Sequence, residues 1–217
     1  MYRTLFAGLS AIFLFGSFSS HVDSAELVIR DIGVGLELPP TGYSFTVTND
    51  TGTRSGSDSF SSAYGASIGG RWSFARIGDA SGPVAGIGLA IDHASYATGG
   101  KWSSTEVRGE AGWGWALSDR WSVLAEGLLG IGAARLTVDG NGAFPGYSAN
   151  GGLLTPGAQA VALFSFSDRW IGSATLGYRY GLAKLSGDGT DVDLTVSGFA
   201  LGIGLAWRIT DRPFLLE

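Results

Sequence analysis

From Leu27 onward, apolar positions alternate with small or polar ones at a period of two. This is the mark of strands with two unlike faces. Val28, Ile32, Val34, Leu36 and Leu38 alternate with Asp31, Gly33, Gly35 and Glu37. A second run sets Phe60, Tyr64, Ala66, Ile68, Trp72 and Phe74 against Ser61, Gly65, Ser67, Gly69, Arg71 and Ser73. A third sets Ala85, Ile87, Leu89 and Ile91 against Gly86, Gly88, Ala90 and Asp92. The fourth sets Thr105, Val107, Ala111, Trp113, Trp115 and Leu117 against Glu106, Arg108, Glu110, Gly112 and Gly114. The fifth places Trp121, Val123, Ala125, Leu129 and Ile131 opposite Ser122, Glu126, Gly130 and Gly132. The sixth carries Ala158, Ala160, Ala162, Phe164 and Phe166 on one face. The seventh sets Trp170, Ala174, Leu176, Tyr178, Tyr180 and Leu182 against Ser173, Thr175, Gly177, Arg179 and Gly181. In the last run Val192, Leu194 and Val196 share a parity, and Phe199, Leu201, Ile203, Leu205, Trp207 and Ile209 share the other. Read as one apolar face, this demands a phase slip, and a β-bulge at Ser197-Gly198 is expected.

Eight such runs predict eight strands. Each has about 10–15 residues, against the usual 5–6 of a soluble sheet, and about ten tilted residues cross a hydrocarbon core. The bulky groups lie on one face, with Gly, Ser and charges on the other. A soluble barrel needs the reverse, large apolar side chains filling its inside. The pattern therefore predicts an all-β, eight-stranded antiparallel up-and-down transmembrane β-barrel, lipid outside and polar groups within.

The connections fall into two sets. Short, similar ones read Leu117-Ser-Asp-Arg-Trp121, Phe166-Ser-Asp-Arg-Trp170 and Ile209-Thr-Asp-Arg-Pro213, with 75–83 a little longer. Long polar ones cover about 39–58, 96–104, 135–152 and 184–190. Short periplasmic turns and long extracellular loops are the rule for outer-membrane barrels. Six of the seven Trp, namely Trp72, Trp113, Trp115, Trp121, Trp170 and Trp207, fall at the short-turn ends. They predict a periplasmic aromatic girdle, where indole sits between lipid and water. Phe60, Tyr64, Tyr96, Trp102 and Tyr180 form a thinner candidate girdle at the other end.

Composition narrows the function classes. The chain has 217 residues, 36 Gly, no Cys and a formal charge of −5. Without Cys there is no disulfide scaffold, thiolate zinc site, Cys nucleophile or Cys lipid anchor. The acidic balance and the absence of a basic cluster argue against a nucleic-acid partner. Residues 1–20 order one basic residue, Arg3, about eleven mostly apolar residues and a small-residue tail, as an export signal does. The expected organisation is a cleaved signal peptide over 1–25, with the cleavage site between about 19 and 25, and a barrel over 26–217.

Over roughly 27–209 this pattern resembles the small outer-membrane β-barrel family, the OmpA/OmpX-type transmembrane domains. The last strand carries the best local match, where Gly202, Leu205 and Trp207 resemble the C-terminal signal read by the barrel-assembly machinery. The chain departs from that pattern by running on to Glu217. The resemblance implies the outer membrane of a diderm bacterium, with lipid and lipopolysaccharide around the barrel.

Three sets of residues carry candidate chemistry. Arg71, Glu106, Arg108, Glu110, Glu126 and Arg179 share the polar faces of their strands. Charges in a low-dielectric interior must pair, so a salt-bridge network that plugs the lumen is expected; a gated narrow pore is the alternative. His93-Ala-Ser95 resembles the His-x-Ser of lipid A deacylase barrels. A base, a nucleophile and an orienting acid would then be needed, but the parity of Glu106 points it inward. Asp188-Gly-Thr-Asp191-Val-Asp193 and Asp139-Gly-Asn141 offer oxygens for calcium without the EF-hand spacing. No cofactor or metal site is expected. The sequence thus predicts a monomeric, non-enzymatic barrel with a structural or surface-interaction role. Loop 39–58, with Tyr43, Phe45 and Arg54, and loop 135–152, with Phe144 and Tyr147, are the surfaces for a ligand. A narrow porin-like channel and a lipid A-modifying hydrolase using His93 and Ser95 remain as alternatives.

Overall fold

The computed structural model describes residues 26–209, apart from 77, 98 and 141–145. The expected leader 1–25 lies outside them, as do Asn141 and Phe144. Ten strand segments run in chain order: β1 (Arg30–Leu38), β2 (Gly42–Asn49), β3 (Gly52–Ser59), β4 (Ser62–Ser73), β5 (Ser81–Ser95), β6 (Lys101–Ala116), β7 (Trp121–Val138), β8 (Tyr147–Ser165), β9 (Trp170–Gly187) and β10 (Thr190–Arg208). Strands β4 to β10 pair antiparallel in succession, β2 pairs with β3 and β10, and β1 pairs with both β4 and β10, all antiparallel. Eight strands, β1 and β4 to β10, thereby close a ring.

The ring has the predicted polarity. Ile32, Val34, Leu36, Ile68, Leu89, Ile131, Leu176 and Ile203 point outward and are exposed, while Glu106, Arg108, Glu126 and Arg179 are buried inside. At about 3.4 Å per residue and a tilt of about 40°, the stretch from Phe199 to Trp207 rises roughly 20 Å, close to the ~25 Å apolar band of an outer-membrane barrel.

Strands β6 to β10 are 16–19 residues long and outrun that band. Much of what reads as loop is therefore strand. The 39–58 connection folds as the β2–β3 hairpin, and 184–190 reduces to a tight turn at Asp188-Gly189, both with positive φ. The 135–152 connection is strand up to Val138 and again from Tyr147.

The expected bulge at Ser197-Gly198 is absent. β10 keeps one register with β9 from Thr190↔Gly187 to Trp207↔Trp170, and Gly198 pairs with Arg179 in step. What changes at Gly198 is the surroundings. Above it Val192 and Leu194 are buried inside, whereas Asp191 and Asp193 face out. The same inversion occurs in β9, where Ala183 and Leu185 are buried beside exposed Lys184, and in β7, where Ala134 and Leu136 flank exposed Arg135. Within the band the outside is hydrocarbon and the charges go in. Above it the outside is water, and the same parity carries an apolar core.

The first strand shows the same continuity. β1 pairs with β10 from Asp31↔Arg208 to Leu38↔Leu201, and β2 resumes the same register from Gly42↔Ser197 to Thr48↔Asp191. Pro39-Pro40 interrupts the ladder because proline has no N–H. Above that break β3 stands beside β2 where β4 stands beside β1, and it lies at the end of the sheet order. The lower turns explain the sequence repeat. Ser118 Oγ accepts from the N–H of Arg120 and Trp121, and Ser167 Oγ does the same for Arg169 and Trp170.

A cysteine-free chain allows a direct test of the polarity inversion. In Asp193→Cys the thiol should react with a membrane-impermeant maleimide on intact cells, while Leu194→Cys should react only after heat unfolding. Labelling of Leu194→Cys in place of Asp193→Cys in the native protein would restore the bulge.

Candidate functional site

The lumen is layered. At the Trp-girdle end, Leu27, Ile29, Val84, Ala116, Leu124, Val161, Leu163 and Ile171 form an apolar layer. Leu27 and Ile29 precede β1 and fold against this end, with the Leu27 N–H bonded to the Asp79 carbonyl. At the far end a second apolar layer gathers Phe60, Ala94, Trp102, Leu136, Ala149, Leu153, Leu185, Val192 and Leu194. Tyr43, Phe45 and Val47 of β2 pack onto it, as do Tyr96 and Tyr147. The rings of Tyr43, Phe60 and Tyr96 lie 4.8–4.9 Å apart, centroid to centroid. Burial raises the Tyr96 hydroxyl above its ordinary pKa, which keeps it neutral.

Between these layers lie the charges, in two clusters. In the first, Arg71 Nη2 lies 2.9 Å from Glu110 Oε2 and Arg71 Nε 3.0 Å from Glu126 Oε1. Gln159 donates to Glu126 Oε2 over 3.0 Å. In the second, Arg108 reaches Glu37 at 2.7 Å, Asp92 at 2.8 Å and Glu106 at 2.6 Å. Arg179 reaches the same Glu37 Oε2 at 2.6 Å. The structure thus places all six sequence-predicted residues inside, split three and three: Arg71, Glu110 and Glu126; Arg108, Glu106 and Arg179.

Sequence reading passed over Glu37 and Asp92. Both stood on the polar faces of their runs, but a one-dimensional pattern does not show that β1, β5, β6 and β9 aim at one point. Glu37 is the shared acceptor of two guanidinium groups. The signal for the geometry lies in glycine: a Cβ at Gly65 would collide with the Asp92 carboxylate, and one at Gly130 with that of Glu106. A narrow barrel accommodates long charged chains by removing the side chain across from them.

A cavity of about 120 Å³ lies within the charged zone, lined by residues that include Asp31, Glu37, Arg71, Arg108, Glu110 and Gln159. It has room for several waters. Three Arg (Arg71, Arg108 and Arg179) and three carboxylates (Asp31, Glu37 and Glu110) line it. Among the described residues no group of three His, Cys, Asp or Glu could hold a metal ion.

Outside the lumen, the six Trp stand at the short-turn end. Trp72, Trp113, Trp121, Trp170 and Trp207 are exposed on the outer face and Trp115 is half-buried. Trp170 and Trp207 meet edge to face at 4.8 Å, and Arg169 stacks over Trp207. The opposite girdle differs from expectation. Tyr64 and Tyr180 face outward, joined by Tyr178 and Phe199. Phe60, Tyr96 and Trp102 instead belong to the inner apolar layer, because at their height the outer medium is water.

Glu106, the acid considered for the His-x-Ser arrangement, does not complete it. His93 faces outward with its ring against Tyr64, 5.5 Å between centroids. Glu106 is on the other side of the sheet, ion-paired with Arg108.

Breaking a buried pair costs more than forming it gains, since the surviving charge is left unpaired. Glu37→Gln removes the carboxylate shared by Arg108 and Arg179, so it should lower unfolding free energy by about 3–5 kcal/mol. Glu110→Gln, which leaves Arg71 its Glu126 partner, should cost clearly less. Urea titrations in detergent, read by the gel shift between folded and heat-unfolded bands, give both values. Equal costs would contradict the role given to Glu37.

No family model and no curated protein matches the chain. Among solved structures it is similar to the attachment invasion locus protein Ail of Yersinia pestis, at 15% identity, over 82% of this chain and 98% of Ail, with a TM-score of 0.39. It is similar to Neisserial surface protein A at 11% identity, over 82% and 97%, TM-score 0.43. OprG from Pseudomonas aeruginosa is 12% identical over 85% and 97%, TM-score 0.48. These are likenesses of shape at low identity; the ring, the outward apolar band and the Trp girdle stand on their own geometry. By that geometry the chain is an eight-stranded antiparallel transmembrane β-barrel.

Proposed function

We propose that this protein is exported by a cleaved N-terminal signal to the outer membrane of a diderm bacterium. There it acts as a non-enzymatic monomer, in a structural or surface-interaction role, with its lumen plugged. The observation that carries this reading is the layering of the lumen: an apolar core at each end and ion-paired charges between them. Water and ions crossing such a path meet two dry layers as well as the guanidinium–carboxylate clusters. An eight-stranded interior is just wide enough for side chains to fill it.

The surface role rests on what projects above the band. Among the described residues strand β3 pairs with β2 on one side only, which leaves a row of backbone donors and acceptors for another chain. Its exposed residues, Thr53, Ser55, Ser57 and Asp58 among them, are polar. Thr46 and Ser55 touch through their hydroxyls at 2.9 Å, and Thr48 and Thr53 at 3.2 Å. Such closeness marks the non-hydrogen-bonded pairs of the ladder. The N–H groups of Thr53, Ser55 and Ser57 therefore point away from β2, toward the open edge.

The second reading, a narrow porin-like channel, draws on the cavity among the lumen charges. Planar-bilayer recording on the purified barrel separates the two. A flat baseline is expected, and steady, reproducible, cation-selective steps would favour the channel. For the surface role, Ser57→Pro removes an edge donor while keeping the β2–β3 ladder. Displayed on a non-adherent diderm host, the wild type should raise binding to cultured epithelial cells or matrix-coated wells, and Ser57→Pro should reduce that binding several-fold. No adhesion by the wild type would remove the adhesin-like part of the proposal.

A further inference from the structure

The strand registers fix the shape of the rim. From Tyr64 of β4, the row of directly paired residues passes through His93, Arg135 and Asp191 and returns at Thr53 of β3. Thr53 stands above Tyr64, because β3 carries the chain of β4 upward past Phe60-Ser61. The row therefore climbs as it circles the barrel, which is the stagger that closing tilted strands requires. Strands β5 to β10 and β2 end just above this row. The rim is thus a ramp of one turn, lowest at β5 and highest at β3, and it ends in a step. β5 stops at Ser95, level with Ser62 at the foot of the step. The face of the step is the open edge of β3. Its 8 residues rise roughly 20 Å, at about 3.4 Å per residue and a tilt of about 40°.

We propose that this step pairs with the same step of a second copy in a facing membrane, so that the protein holds cells to one another. Symmetry selects this partner. The edge of β3 looks along the rim, over its own β5, so a neighbour in the same membrane cannot come beside it. The β3 of such a neighbour would also descend as the first does, and the two would run parallel. An inverted copy meets neither obstacle. Inversion makes its β3 antiparallel to the first, and a two-fold axis then presents the same patch from both sides. Two ramps of one hand lie flush when one is turned over onto the other, step against step. The residues agree with this. The N–H groups of Thr53, Ser55 and Ser57 point to the open edge, where an added antiparallel strand exchanges bonds with them. Arg54, Gly56 and Asp58 share one face of β3, and both charged residues are exposed. A pairing centred on Gly56 sets Arg54 opposite Asp58 of the second copy, and Asp58 opposite its Arg54. Opposite charges facing each other across strands attract, and like charges repel. A shift of two residues either way puts a charge against Gly56 instead, so one register is favoured. The inference deepens the surface role proposed above and rests on its extracellular orientation. The barrel stays single within its own membrane, and many weak contacts between two cells add up through multivalency.

The experiment displays the full-length protein on a diderm host that does not clump by itself. Settling of the suspension is followed, and mixed populations carrying two dyes are scored by microscopy. Wild-type cells should settle several-fold faster than the empty host. Arg54→Asp cells and Asp58→Arg cells should each stay suspended alone and clump when mixed, because an acidic edge then meets a basic one. The double variant Arg54→Asp with Asp58→Arg should clump with itself and sort away from wild type. Undiminished clumping of either single variant alone, or a mixture that stays suspended, would overturn the pairing. The gel shift on boiling confirms that each variant is folded. If the charge variants fail to fold, Arg54→Cys cells mixed with Asp58→Cys cells serve instead. Mild oxidation should then give a dimer band that neither population gives alone, and its absence counts against the proposal. Wild-type cells that bind matrix-coated wells without clumping sink the self-partner and leave the surface role standing. Asp193→Cys labelling only from the periplasmic side sinks the orientation on which both depend.

Discussion

A wall one residue thick must satisfy two media at once. In a strand, neighbouring side chains point to opposite faces, so each decision about the outside is a decision about the inside. Hydrocarbon outside requires Ile, Leu and aromatic residues on every second position, and the remaining positions can then carry charge. Unpaired charge is not tolerated there, which is why Arg71, Arg108 and Arg179 each reach a carboxylate within 3.0 Å. The glycines opposite Asp92 and Glu106 follow from the same constraint, since closing eight strands leaves little lumen to share.

The layering follows from the height at which that constraint relaxes. Where the outer medium returns to water, the outer positions become Asp191, Asp193, Lys184 and Arg135, and the inner ones become Val192, Leu194, Leu185 and Leu136. The apolar cap over the charged zone is thus not a separate domain. It is the continuation of the same strands with the assignment of their faces exchanged. The β2–β3 hairpin covers part of that cap with Tyr43, Phe45 and Val47, and its second strand remains unpaired on its outer side.

Fold class was readable from sequence because eight runs repeat the same alternation and six Trp fall at one end. The misreadings share one cause. Val192, Leu194 and Val196 are apolar, and apolar means outward only while lipid is outside; a fixed rule turned a change of medium into a change of phase. An outer-girdle position for Phe60, Tyr96 and Trp102 fails for the same reason. The lumen charges were visible as a set, since each sits on a polar parity. Their division into two clusters, and the sharing of Glu37 by Arg108 and Arg179, depend on which strands face each other across the ring. Nothing in the linear order of β1, β6 and β9 conveys this.

The unbroken parity through Gly198 sets how such a protein changes over generations. The strands that stand above the membrane can be lengthened or shortened at their tips with little penalty, because only solvent and the outermost turn are affected. A single residue gained or lost at the rim is another matter. It would turn Val192, Leu194 and Val196 out to water and bring Asp191 and Asp193 into the apolar cap. Variation in the projecting part should therefore arrive at the turns, or in pairs along a strand, leaving a rim of nearly invariant length beneath a surface free to diverge.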